Sequence, residues 1–381
     1  MDAEDEAAAT KEVGIEDTDV QAKYKAAAEI ANAAMDAVKQ ALAPGSSVAA
    51  LCALGDSTMT AMTEKIYSKP VVDKASGQKV KVEKGIAFPT NIAPNNVACH
   101  LSPLDGEDMV LKAGDLVKVD LGCHVDGQVA TLALTMVVPQ AAGEAPEALT
   151  GAASDVVRAT YAAADAVLRL MRPGKTNEEV SDVIARVAKD FGVNVVEGVL
   201  SHQMKQFVID GNKVILAKPT PEQRVEKIEF AENEVYAIDI AMSTGEGKPK
   251  ETGSRTTIFK RRADVEYSLK LKTSRQVISE IDNKFQFFPF VLRALSDEKR
   301  GKLGISEALK HEMVIGYPVL YEKEGALIAR AKFTVFILPK YSLRITTFDT
   351  PPVQDSEKQI EDQLVKDLLA LSVGKPEKKK K

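Results

Sequence analysis

The sequence predicts an α+β fold built from two related αβ halves that face each other around a shared interior. Three observations predict it. A helical stretch followed by β-rich segments occurs twice along the 381 residues. Each β-rich block holds the pattern apolar-Asp-apolar inside a strand, in "LVKVDLG" at 116–122 and "VYAIDIA" at 235–241. An ionised carboxylate in an apolar strand costs several kcal/mol unless it is paired or binds a metal, so Asp120 and Asp239 each need a partner in a common interior.

The elements follow in order. Residues 1–19 hold eight acids against Lys11 and have little to bury, which predicts a disordered acidic tail. "KYKAAAEIANAAMDAVKQAL" repeats apolar positions at helical spacing and stops at Pro44-Gly45. A second helix begins after Ser46 or Ser47, and 85–139 turns β-rich, punctuated by Pro, Asn and Gly. Residues 150–192 return to helix, where "TNEE" sets Glu179 three positions after Thr176 as a capping box. The "GKT" at 174–176 is not a phosphate loop, because Arg169 stands where that loop needs its first glycine. A second β-rich block, a helical stretch over about 266–316, the late strand "KFTVFIL" and an amphipathic helix near "DQLVKDLLALS" complete the chain.

The net charge of −5 argues against a general nucleic-acid binder, yet residues 245–275 hold nine Lys or Arg against four acids. These are Lys248, Lys250, Arg255, Lys260, Arg261, Arg262, Lys270, Lys272 and Arg275, and the end adds Lys378, Lys379, Lys380 and Lys381. Three cysteines without a C-x-x-C pair argue for a reducing compartment and against a disulfide framework or structural zinc. The acidic N-terminus lacks the features of a signal peptide, and no apolar run reaches membrane-spanning length. These features predict a soluble, intracellular protein with no membrane insertion.

Spacing leaves two readings of the aspartates. Asp120 and Asp239 accept hydrogen bonds from backbone or lysine, or they join a histidine in a metal site. Two of the four histidines, His100 in "NNVACHLSP" and His202 in "VLSHQMKQ", flank the relevant strands.

The blocks "GIAFPTNIAPNNVACHLSPL", "DLVKVDLGCHVDG", "EGVLSHQMKQFVIDGNKVI", "EVYAIDIAMSTGEGK" and "VLYEKEG" closely resemble the proliferation-associated (ErbB-3 receptor-binding) protein family. That family is similar to type 2 methionine aminopeptidases. The resemblance implies a pita-bread domain over 20–350, with a helical insertion about 265–325, a disordered tail at 1–19, and a C-terminal tail at 351–381 carrying a short helix and the lysine run.

The resemblance also implies a site. Of the five ligands of the active enzymes' dinuclear centre, the first aspartate falls on Asp120, the histidine on His202 and one glutamate on Asp239. The two bridging carboxylates fall on Thr131 and Thr334. A substrate-contacting histidine falls on His100, and a second falls on Asp210. Threonine brings no charge to hold two metal ions together. The expectation is a vestigial pocket with no catalytic residue, metal or cofactor, in which neighbouring hydroxyls neutralise Asp120 and restored acids at 131 and 334 raise metal affinity. The alternative is a weakly active mononuclear metallo-aminopeptidase on Asp120, His202 and Asp239. As partners the resemblance implies structured RNA and the ribosomal subunit, with DNA and signalling or transcription proteins in some members. It further implies residence in the cytoplasm and the nucleus or nucleolus, and a monomer is expected.

Overall fold

The structure, a computed structural model, describes residues 14–72, 77–104 and 106–374. Its frame is an antiparallel sheet of nine strands. The main path runs Lys84–Pro94, Leu116–Val125, Gln128–Val137, Ile328–Ile337, Val235–Ser243, Leu200–Met204, Val214–Leu216. The first three strands form one half and the last four the other. Alternation sorts the side chains of each half onto two faces.

On the outer face of the first half, Val117, Val119, Leu121, Leu132 and Leu134 are buried beneath helices α1 (Thr18–Ala41) and α2 (Val48–Lys65). On the outer face of the second, Tyr236, Ile238, Ile240, Phe333 and Val335 are buried beneath α3 (Gly151–Leu170) and α4 (Asn177–Phe191). Both inner faces line one interior. Ser47 caps α2 by accepting from the Ala50 N–H. Thr176 and Glu179 form the capping box that starts α4.

The seam between the halves is irregular, with Lys332 opposite Ala133 as its one strand-register pair. Threonine hydroxyls close it instead. Thr334 Oγ1 accepts from the Thr131 N–H at 2.9 Å and donates to the Thr131 carbonyl at 3.0 Å. Thr135 Oγ1 likewise accepts from the Arg330 N–H and donates to its carbonyl, both at 2.8 Å. Each hydroxyl, being donor and acceptor at once, bridges the two strands at a position where their backbones do not pair directly.

Residues 265–325, expected to be mostly helical, hold α5 (Lys272–Lys284) and α6 (Glu298–Lys310) and also short strands. Phe290–Val291 and Val314–Tyr317 flank Ile258–Arg261 in a three-stranded sheet. Leu320–Tyr321 joins Val97–Cys99 and Lys250–Glu251 in another. The segment is therefore sewn to both halves rather than appended. At the C-terminal end, α7 (Gln363–Leu369) buries Val365 and Leu368 in the core shared with α3 and α4, so 351–374 is not a free tail.

Of the disordered tail expected over 1–19, residues 1–13 lie outside the described residues, and the expectation is corrected for 14–19. Ile15 is buried with Val20, Tyr24, Met204, Val235 and Phe336, and the Asp17 carboxylate caps α1 by accepting from the Asp19 N–H. One isoleucine among acids carries little compositional weight, but it seats against the ends of the inner strands. Ile15→Ala should lower unfolding free energy by about 2–5 kcal/mol. Urea denaturation checks this, and a change below about 0.5 kcal/mol would show that the segment is not docked.

Candidate functional site

Strand register builds the site. Asp120 lies opposite Ala133, Ala133 opposite Lys332, and Lys332 opposite Asp239, so one row crosses four adjacent strands. Residues opposite each other in an antiparallel pair point to the same face, which here is the inner one. Ala133 is short. Lys332 can therefore reach past it and bind Asp120 through both carboxylate oxygens, at 3.0 and 2.9 Å. Its ammonium also lies 3.4 Å from Asp239. Arg330, two residues earlier on the same face, donates to Asp239 through Nε at 2.8 Å and Nη2 at 2.5 Å, and its Nη1 lies 3.0 Å from Asp120.

All four carboxylate oxygens face a cation, and the two positive and two negative charges cancel. Burial alone would push Asp239 up, but the charges and hydrogen bonds of Arg330 and Lys332 outweigh it and bring its pKa down to about 2. Burial opposes the Arg330 charge, and Asp239 and Asp120 more than restore it.

Asp120 and Asp239 are thus brought together on shared cations, and the neutralising groups are not the ones expected. Hydroxyls were expected at Asp120; Lys332 and Arg330 hold it instead. The reading in which lysine satisfies the aspartates describes the geometry, with an arginine added. Thr334 is spent on the seam, while Thr131 Oγ1 is buried with no hydrogen-bond partner.

A cavity of about 360 Å³ opens beside this cluster, lined by Asp239, Arg330 and Lys332 together with Phe88, Cys99, His100, Thr131, His202 and Asp210. The His100 Nδ1 lies 3.1 Å from the Pro318 carbonyl, which fixes Nδ1 as the protonated nitrogen. Burial, reinforced by Arg330, lowers the His100 pKa to about 4. Burial also lowers that of His202, against the opposing pull of Asp210 and a hydrogen bond to the Gly211 backbone. Both imidazoles are neutral at pH 7. The Cys99 thiol is pushed up to about 11 by burial.

The basic segment is largely committed to internal pairs. Arg255 binds Glu107 at 2.9 Å, Lys260 binds Asp210, and Arg262 binds Asp264 at 2.8 Å. Arg261 reaches Asp282 at 3.1 Å and donates to the Val265 and Met313 carbonyls. Arg275 donates to the Leu269 and Lys270 carbonyls. Lys248 lies 3.9 Å from Glu197. Its loop is pinned by buried Glu322, which accepts from the Gly247 and Lys248 N–H groups. Lys250, Lys270 and Lys272 are exposed. Lys378 to Lys381 lie outside the described residues.

Sequence reasoning missed Arg330 and Lys332. The signal was present in "IARAKFTVFI", where two cations recur at period two in an otherwise apolar strand, matching two acids on neighbouring strands.

Comparison with known proteins agrees with this architecture. Residues 22–257 match metallopeptidase family M24. The chain is 45% identical over 362 residues to ErbB-3 binding protein 1 of Solanum tuberosum, covering 95% of this chain and 90% of that protein. It is 41% identical to proliferation-associated protein A of Dictyostelium discoideum, with 94% and 90% covered. The structure of a thermophilic Arx1 superposes with a TM-score of 0.86 at 28% identity, covering 94% of this chain and all of that one. The chain belongs to metallopeptidase family M24 and, within it, to the proliferation-associated, ErbB-3-binding proteins.

Metallopeptidase kinship implies a metal, and the residues present do not fit one. Both aspartates are fully engaged by cations, and a divalent ion placed between them would meet two positive charges at contact range. Among the described residues, no group of three or more His, Cys, Asp or Glu is arranged to hold an ion.

Removing one member leaves a buried charge without its counter-ion. Arg330→Met or Lys332→Met should each cost about 3–5 kcal/mol, whereas converting all four charges to apolar residues of similar volume should cost less than the two single losses summed. Chemical denaturation of the series checks this, and additive losses would refute the coupling. For pH, the Asp239 pKa is depressed below its ordinary 3.8, so its stabilisation is complete above that value and fades as pH falls through about 2. Asp239→Asn should therefore flatten the acid limb of the stability profile below pH 4.

Proposed function

We propose that this protein is a non-catalytic member of its family, an adaptor that binds structured RNA or a ribosomal surface. The observation that carries the loss of catalysis is the engagement of Asp120 and Asp239 by Lys332 and Arg330, which leaves neither of these carboxylates to bind a metal or to serve as base. The purified protein should hold far less than one tight divalent ion per chain after dialysis, and should not turn over Met-Ala peptides with Mn or Co. Stoichiometric metal that disappears in His202→Ala would overturn this reading.

The same geometry revises the restoration expected from the sequence. Thr131→Asp with Thr334→Glu would remove the seam hydroxyl and still face two resident cations. On this reading, metal affinity rises only when Arg330 and Lys332 are neutralised as well.

The RNA part rests on the motif-level family resemblance and on exposed cations in an otherwise acidic chain. Ion pairing shifts the emphasis within the basic segment. Lys260, Arg261 and Arg262 serve the fold through Asp210, Asp282 and Asp264, so reversing them confounds binding with folding. Lys250, Lys270 and Lys272 lack such ties among the described ion pairs and are the cleaner contacts. If each neutralises one phosphate on a single strand, reversing all three to Glu should reduce the slope of log K against log salt by roughly 2, at about 0.7 each. Deleting Lys378 to Lys381 should give a further reduction of about 2.8 on the same basis. Salt titration of binding to ribosomal RNA checks both, and curves indistinguishable from the parent's would remove RNA contact from these residues.

A further inference from the structure

We propose that the central cavity binds an uncharged, amide-capped apolar group, and that it discriminates against free amines and free carboxylates. The inference rests on the reading that the cavity holds no metal.

Charge selectivity follows from which groups in the wall are already spent. The acceptor atoms of Asp120 and Asp239 are taken by Arg330 and Lys332, and those cations are in turn committed to the aspartates. Asp210, also in the wall, is paired with Lys260. A ligand ammonium finds no carboxylate without a resident cation, and a ligand carboxylate finds no cation without a resident carboxylate. Either would enter as an unpaired charge, at a cost of several kcal/mol.

The buried groups of the wall left without a partner are neutral. Thr131 Oγ1, on a side chain 2% exposed, and His202 Nδ1 are both buried without a hydrogen-bond partner, and both residues line the cavity. His100 adds an acceptor at Nε2, because its Nδ1–H is committed to the Pro318 carbonyl. One hydroxyl donor and two imidazole acceptors complement the C=O and N–H of an amide. Phe88, Leu200, Ile209 and Tyr317 supply apolar wall for a side chain beside it. At about 360 Å³ the cavity lies at the lower end of the range for small-molecule sites, suited to one capped residue rather than a long peptide.

Thr131→Val is a clean probe. The seam uses only the backbone N–H and C=O of Thr131, so the near-isosteric change removes the hydroxyl and leaves those bonds in place. The experiment titrates the full-length protein with three probes, N-acetyl-L-leucinamide (neutral), L-leucinamide (cation at neutral pH) and N-acetyl-L-leucine (anion), by ligand-observed NMR. Metal content is measured on the same samples.

The neutral probe should saturate, with the two charged probes at least tenfold weaker. Thr131→Val should weaken the neutral probe about tenfold without lowering Tm, and Ala237→Leu, which fills the cavity, should abolish binding. No saturable binding of the neutral probe at millimolar concentration overturns the proposal, as does binding that Thr131→Val and Ala237→Leu leave unchanged. A preference for L-leucinamide also overturns it. If bound metal accompanies that preference, the metal-free reading has failed as well; without metal, the charge-selectivity argument alone has failed.

Discussion

Two carboxylates and two cations, Asp120, Asp239, Arg330 and Lys332, meet in the interior of the sheet, and the arrangement of the two halves follows from the need to keep them together. Each ion alone would cost several kcal/mol to bury. Together they cancel, provided that every carboxylate oxygen faces a donor, as it does here. This requirement fixes the register of four strands at once. A slip of one residue in the Ile328–Ile337 strand would turn Arg330 and Lys332 toward α3 and strand both aspartates. It also fixes Ala133, since a larger side chain there would stand between Lys332 and Asp120.

The same constraint reaches the seam. Where the halves meet, Thr334 and Thr135 use their hydroxyls as paired donor and acceptor, holding the strands in the one alignment that lets the charges match. A threonine at 334 thus has a structural reason of its own, beyond the absence of a glutamate. Helices on the outer faces need only cover apolar stripes. The inner face carries the specificity.

Outside the interior, opposite charges again meet within the fold. Arg255, Lys260 and Arg261 stand close in sequence, but each is drawn to an acid far along the chain, while Arg262 pairs with Asp264 in the adjoining turn. Exposed pairs of this kind add little stability, yet they reduce the field that a basic run would otherwise present to a polyanion. Among the described residues of the basic segment, Lys250, Lys270 and Lys272 stand exposed outside these pairs.

The sequence by itself determined the two-half architecture, the helical pairs and their caps, and the convergence of Asp120 and Asp239, because these depend on local periodicity and on one strong physical demand, that buried carboxylates find partners. The two motif strands carried that demand on their face. It did not determine who the partners are. Lys332 is 212 residues from Asp120 and Arg330 is 91 from Asp239, and only strand register sets them in one row. The docking of Ile15 and the internal pairing of the basic segment were decided the same way, by what each side chain meets across the fold. Composition describes a stretch of chain, whereas burial and pairing depend on neighbours that only tertiary structure supplies.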